Sequence, residues 1–280
     1  MRANLDAPSA PSSYLEIFPG KEIAPGVERL WISRTPAGRG AVLREVIPDG
    51  NVDLVICLTP ESCSLHLFGP ATKPLVAAAP KGSMLAGMRF HPGLAPRLAD
   101  VSHPELLDAC IKLDKVLGLS AAELGHGLAS MVEAKAGPGQ CLDFLAGRLN
   151  RVNPGPMASA LCRRAAELAL ATQGDLRIAD WARELGTSVR GLERRFNREL
   201  GISPKSFLRL IRLQRAVEGL RAARLDHAAL AAHCGFADQA HMIHEFRNLS
   251  GRTPGSLARR LRLQTLLAEP LPGAPLHVMS

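Results

Sequence analysis

The chain has 280 residues, 46 % hydrophobic and 21 % charged, a globular composition with room for two domains and too apolar for a disordered chain. No apolar run nears the roughly 18–20 residues of a membrane-spanning helix, and the opening residues lack the basic-then-apolar pattern of a secretory signal. The net charge of +8 is lopsided: residues 1–150 hold 14 Lys and Arg against 15 Asp and Glu, and residues 151–280 hold 20 against 11.

That excess of positive charge in the second half asks for a polyanionic partner, since basic surfaces attract phosphate backbones. The six cysteines (57, 63, 110, 141, 162, 234) are scattered and include no CxxC pair. A disulfide framework or zinc cluster is therefore disfavoured, and reduced thiols in a cytoplasmic protein are expected.

Residues 1–13 are small, polar and Pro-rich and read as a mobile tail. From Tyr14 to Phe90, short apolar runs at 27–33, 41–47, 52–58, 64–68, 74–79 and 83–90 alternate with turn residues and read as strands. Pro48-Asp49-Gly50-Asn51, Gly69-Pro70, Pro80-Lys81-Gly82 and His91-Pro92-Gly93 supply the turns. Strands at this spacing predict a small antiparallel β-barrel or sandwich. Helical spacing follows at 104–108, 113–118, 120–134 and 139–150, where Cys141, Leu142, Leu145 and Leu149 share a face. Asn150–Pro156, with two prolines and a glycine, reads as the linker between domains at 14–150 and 157–268.

The first half carries no recognisable chemistry. His66, His91 and His103 lack the tight spacing of a metal site, and Asp49 and Asp53 flank a turn that explains Asp49 without acid–base work. There is no GxSxG, Walker A loop or GxGxxG. A barrel interior has space for a small ligand, but no residue singles one out.

The second half contains a repeat. Phe196, Gly201, Ser203 and Pro204 are answered 50 residues later by Phe246, Gly251, Thr253 and Pro254, and Leu192 by Met242. A helix over 157–172 comes first. Ile178, Trp181, Ala182 and Leu185 then mark an amphipathic helix that Gly186 closes. Ser188 is placed to N-cap the next helix, Val189–Leu200, which buries Leu192, Phe196 and Leu200 and leaves Arg190, Glu193, Arg194, Arg195, Asn197 and Arg198 on its other faces.

Ser203 and Pro204 start a long connecting helix to Ala223. Asp226 and Asp238 cap the two helices of a second unit, whose outer faces carry Gln239, Ala240, His241 and His244, and a last helix runs from Pro254 to about Leu267. The residues from Pro270 onward read as disordered. A helix ending in Gly, a tight turn and an N-capped, Arg-rich helix form helix-turn-helix anatomy, and Arg is the side chain that best reads guanine in a major groove. The fold class expected is α+β: a β-rich first domain with trailing helices, then an all-α domain with two helix-turn-helix units joined by a long helix.

The second unit, LAAHCGFADQAHMIHEFRNLSGRTPGSL, resembles the C-terminal signature of the AraC family of bacterial transcription regulators in Ala231, Gly235, Phe236, Asp238, Gln239, His241, Phe246, Gly251, Thr253 and Pro254. The first unit fits at Ala182, Gly186, Ser188, Leu192, Phe196, Gly201, Ser203 and Pro204, and in the Arg-rich stretch Arg209–Ala216 that follows. The resemblance covers about residues 157–263. It implies two modules docking in successive major-groove segments of double-stranded DNA, with base-facing roles for Arg190, Glu193 and Arg194, and for Gln239, Ala240, His241 and His244. Ser188, Arg195, Arg198 and Arg247 complete the expected DNA-binding set, and Arg209 is a further candidate for phosphate contact. His244 stands where the family often has Arg, and Ala240 has no polar reach, so the second module is expected to read bases weakly.

IPDGNVDLVICL, FGP (68–70) and GMRFHPG (87–93) resemble a sensor-type domain of some family members. The resemblance implies a small-molecule effector or a homodimer contact there, and RNA polymerase as a partner if the protein activates. No cofactor, metal, catalysis or membrane partner is expected. Two other readings compete. A small metalloenzyme domain would use His66, His91 or His103, and stoichiometric metal would reveal it. A structural protein would offer its second half to a partner helix, which the Arg-rich faces oppose.

Overall fold

The computed structural model describes residues 14–18, 26–98, 100–116, 119–134, 138–150, 156–222 and 226–266. The expected tails at 1–13 and from Pro270, and residues 151–155 of the expected linker, lie outside the described residues.

Among the described residues the first half contains ten strands and three helices: β1 (Tyr14–Ile17), β2 (Val27–Arg34), β3 (Ala41–Val46), β4 (Val52–Leu58), β5 (Cys63–Phe68), β6 (Leu75–Pro80), β7 (Met84–Phe90), α1 (His103–Leu106), β8 (Cys110–Leu113), β9 (Lys115–Val116), β10 (Leu119–Ser120), α2 (Ala121–Glu133) and α3 (Pro138–Asn150). Six strands form one antiparallel sheet in the order β1-β2-β7-β4-β5-β8, and β3 pairs with β6 as a separate ribbon. The sheet is open, with no pairing of β1 to β8 among the described residues, so the arrangement is sandwich-like and not a closed barrel.

The central strand β4 explains the layering. Its sequence VDLVICL is buried along nearly its whole length. Leu54 and Ile56 face a core with Leu65, Leu67, Leu124, Leu128 and Leu145, closed by α2 and α3. Cys57, on the opposite face, packs with Leu85, Ala79 and Trp31 beneath the β3–β6 ribbon. Alternation along one strand thus serves two layers. Gly87 makes this possible: a Cβ there would stand 2.1 Å from Trp31 Cε2, so only glycine lets the indole lie across β7.

One expectation fails. Residues 113–118 were expected to be helical, but Leu113 ends β8 and Lys115–Val116 form β9. The cause is tertiary: Cys110, Ile111, Lys112 and Leu113 find partners in Phe68, Leu67, His66 and Leu65 across the sheet, and Leu113 is buried there. Pairing with an exposed edge outweighs a weak local periodicity. Strand β1 was likewise not foreseen.

The named elements of the second half are, among the described residues, all helices: α4 (Ala160–Ala171), α5 (Ile178–Glu184), α6 (Val189–Leu200), α7 (Pro204–Ala222), α8 (His227–His233), α9 (Gln239–Ser250) and α10 (Pro254–Leu266). One apolar core runs from Ala158 to Ala258. At its centre Trp181 meets Phe196 edge-on at 5.0 Å, and Phe196 meets Phe207 at 5.4 Å, arrangements that aromatic quadrupoles favour. The two halves touch. Ile47, Leu94 and Leu107 pack on the helical core, Gln214 Nε2 donates to the Pro48 carbonyl at 2.7 Å, and α1 lies against α6.

Candidate nucleic-acid interface

The first unit is α5, a turn and α6. Gly186 takes φ +63, a left-handed value that closes α5, and Thr187 N–H bonds back to the Ala182 carbonyl at 2.9 Å. Ser188 then caps α6, its Oγ accepting from Gly191 N–H at 3.0 Å. The apolar stripe Leu192, Phe196 and Leu200 is fully buried. That burial leaves Arg190, Glu193, Arg194, Asn197 and Arg198 exposed together, with Arg195 half-buried beside them. Arg198 pairs with Glu199 at 2.7 Å. Burial opposes charge on Glu199, but hydrogen bonds from Ser159 and Arg198 outweigh it and hold its carboxyl near about 2. Glu199 is thereby fixed to α4, and the rest of the α6 surface stays strongly positive.

The second unit repeats the construction. Asp226 caps α8 through Ala229 N–H at 2.7 Å, and Asp238 caps α9 through His241 N–H at 2.7 Å. Gly235 takes φ +72 in the turn, and Met242 and Phe246 are buried where Leu192 and Phe196 are in the first unit. Gln239, Ala240, His241, His244 and Arg247 are exposed on α9. The His241 ring lies edge-on to Phe236 at 5.6 Å, and its Nδ1 accepts from Ala237 N–H at 3.2 Å. An imidazole accepting at Nδ1 carries its proton on Nε2, so His241 presents a donor outward.

All eleven sequence-derived candidates therefore lie on or at the start of the second helix of a unit, and the fold gathers them into two groups: Ser188, Arg190, Glu193, Arg194, Arg195 and Arg198 on the first, and the remaining five on the second. Arg209 belongs to neither group. It makes a two-pronged pair with Glu245 of α9, at 2.6 and 3.0 Å, with side chains 28 % and 13 % exposed. Arg212 reaches the Gly235 carbonyl at 3.4 Å and Arg215 Nη2 meets His233 Nε2 at 3.1 Å. These contacts tie the three arginines of α7 to the second unit, and the Glu245 carboxylate takes up the charge of Arg209.

The competing metal set is not assembled. His66 sits on β5 beside Ser64, and His103 is buried at the start of α1, where burial pushes it down to about 4. Among the described residues, no three His, Cys, Asp or Glu stand together as a metal cluster. Asp49 and Asp53 do come together, on Arg89. Its guanidinium donates to Asp53 at 2.9–3.2 Å and reaches Asp49 at 3.1 Å. Burial pushes Asp49 up to about 6 even so. Asp49 also forms the turn, accepting from Asn51 N–H at 3.0 Å. Sequence spacing named both carboxylates and missed Arg89, which the register of β4 on β7 places opposite Asp53.

Residues 181–260 match a helix-turn-helix domain family, and residues 15–112 match a domain family of unknown function, DUF6597. The chain is similar to a transcriptional regulator with an AraC-type DNA-binding domain from Chromobacterium violaceum, at 30 % identity over 35 % of this chain and 88 % of that one (TM-score 0.33). It is similar to a probable AraC family transcriptional regulator from Rhodopseudomonas palustris, at 29 % identity over 37 % and 98 % (TM-score 0.34). A longer likeness, to ToxT from Vibrio cholerae, covers 90 % of this chain and 98 % of that one at 10 % identity (TM-score 0.46). Among the described residues no helix is long and apolar enough to cross a membrane.

Proposed function

The chain belongs to the AraC-type DNA-binding transcription regulators, and from that premise we propose that both of its helix-turn-helix units read DNA, in successive major-groove segments of one duplex face. The observation that carries this is the duplicated construction: α6 and α9 each bury an aliphatic residue and a phenylalanine four positions apart (Leu192 and Phe196, Met242 and Phe246), are N-capped by a side-chain oxygen and expose a polar face. In this reading Arg190, Glu193 and Arg194 face bases from α6. Gln239, His241 and His244 do so from α9, with Ala240 against a thymine methyl. Ser188, Arg195, Arg198 and Arg247 grip phosphates and set the register.

The reading extends to domains at 14–150 and 157–268 and to a cytoplasmic place of work. The first domain is the control element, acting through a small ligand or self-association, and RNA polymerase is the further partner if the regulator activates.

Selection from a random DNA library with the full chain, near physiological salt, tests the two-module claim. Enrichment of a bipartite motif with parts about ten base pairs apart is expected. A single short motif would restrict base reading to one unit. Salt-sensitive binding to every sequence without enrichment would defeat the claim of sequence-specific reading.

A further inference from the structure

Where the two halves meet they enclose a cleft of about 440 Å³, within the range of roughly 300–1,000 Å³ typical of small-molecule sites. Its two walls differ in how their charges are used. On the wall from the first half, the guanidinium groups are spent: Arg89 on Asp53 and Asp49, Arg29 on Glu28 and on Glu16 at 3.1 Å. The opposite wall, from α7, holds charges with capacity left over. Arg215 lines the cleft, with its Nε buried out of a ligand's reach. Among the described residues its hydrogen-bond contact, through Nη2, is to His233 and not to a carboxylate. Glu218, one turn further on, is 62 % exposed, and its ion-pair partner among the described residues is Arg29 at a loose 4.0 Å. Arg215 and Glu218 stand on one side of one helix without pairing to each other.

His91 also lines the cleft, and the rest of the lining is apolar or neutral. Leu170, Ile211 and Pro92 give a hydrophobic surface. Gln173 also lines the cleft, held at φ +55, a left-handed value that a residue with a side chain rarely keeps. The cleft thus offers one under-used cation, one under-used carboxylate, a neutral amide and an apolar floor.

The signs of the lining decide what fits. Arg29, Arg89 and Arg215 face Glu28, Asp49 and Glu218, with the His91 imidazole beside Glu28. A simple anion entering this space meets three carboxylates, and a simple cation meets three guanidinium groups. A molecule bearing both charges a few bonds apart is opposed by neither set, because each of its ends can face the opposite sign. We propose that the cleft binds a small zwitterion of the amino-acid type, its carboxylate on Arg215, its ammonium on Glu218 and its side chain on Leu170, Ile211 and Pro92. The first half contributes the facing wall, so an occupied cleft ties that half to α7, the helix joining the two reading units. This regulatory consequence rests on the first domain being the control element; the binding step does not.

The test uses the full chain without DNA, so its failure is separate from failure of the DNA-reading claim. Melting temperature is measured with each of the L-amino acids at about 10 mM, enough to saturate a site of sub-millimolar Kd and give a resolvable shift. The best responder is then compared with its amine-only and acid-only analogues; for leucine these are 3-methylbutylamine and 4-methylpentanoate. The expected result is an upward shift with at least one amino acid, no shift with either analogue, and at least tenfold weaker binding by calorimetry in Arg215→Gln and Glu218→Gln. Glu218 is exposed, so Glu218→Gln folds and stays informative even if Arg215→Gln does not. No shift with any amino acid, an equal shift with either analogue, or unchanged affinity in Glu218→Gln overturns the proposal.

Discussion

Replacing Arg209 with Met separates two roles that a basic residue on a DNA-binding protein can play. Its pair with Glu245 is two-pronged and mostly out of water, with side chains 28 % and 13 % exposed. Breaking a fully buried pair costs about 3–5 kcal/mol and an exposed one about 0–1 kcal/mol. Intermediate exposure places Arg209→Met at about 1–3 kcal/mol, most of it the cost of leaving Glu245 without its partner. At about 2–4 °C per kcal/mol for a domain of 150–250 residues, thermal denaturation resolves this. The double variant Arg209→Met, Glu245→Leu recovers part of the loss, which a double-mutant cycle reads directly.

DNA binding adds a second discriminating readout. Loosening α9 on α7 blurs base preference in one half of a bipartite site and leaves the salt dependence unchanged, because no phosphate contact is lost. A phosphate-binding Arg209 gives the opposite pattern: stability within about 0.5 kcal/mol of the parent and a salt slope shallower by about 0.9. That second pattern would refute the reasoning.

Further expectations concern bases and protons. Arg194→Ala costs about 1–3 kcal/mol on a selected site and relaxes one base position, whereas His244→Ala does less; equal relaxation by both, in a competition binding assay on single-base variants, would remove the ranking of the two units. Burial lowers His103 from 6.5 to about 4, so the folded chain binds fewer protons there than the unfolded chain between those values. Its contribution to stability therefore rises with pH from about 4 to 6.5, by at most about 3 kcal/mol, and His103→Leu flattens the denaturation free energy over that window. Asp49 runs the other way. Its pKa is raised from 3.8 to about 6, so its contribution is present at low pH and lost as pH climbs through about 6. Asp49→Asn therefore removes a falling term, seen as a steeper gain in stability with pH in urea titrations from pH 4 to 6.5.

Legibility in the sequence followed the range of the determining contacts. The α6 and α9 units could be read because their signals are local: caps at Ser188, Asp226 and Asp238, left-handed glycines at 186, 201, 235 and 251, and a buried stripe spaced by four. The strands from β2 to β7 could be read for the same reason. What stayed hidden was set by partners far along the chain. Leu113, Val116 and Leu117 have the spacing of a helix, and only β5, more than 40 residues earlier, turns Leu113 into a strand residue. Arg209 meets Glu245 36 residues on, and nothing beside Arg209 in sequence distinguishes it from an arginine that faces phosphate. The cleft belongs to two domains at once, so no stretch of sequence contains it.

The seat of α1 on α6 has a mechanical consequence. Pro104 and Leu107 lie by Gly201, at the C-terminal end of α6, and His103 is buried beside Glu199. The residues proposed to face bases lie at the other end, at 190–194. The two halves thus share one rigid rod, gripped at its tail and carrying the proposed base-facing residues at its tip. From Leu200 to Arg190 that rod measures about 15 Å at 1.5 Å per residue. A tilt of about 5° at the gripped end carries the tip by about 1 Å, more than the spread of about 0.5 Å that a hydrogen bond to a base edge tolerates. A small tilt at that grip would move the tip of α6 with neither undocking nor unfolding, a lever with a short throw.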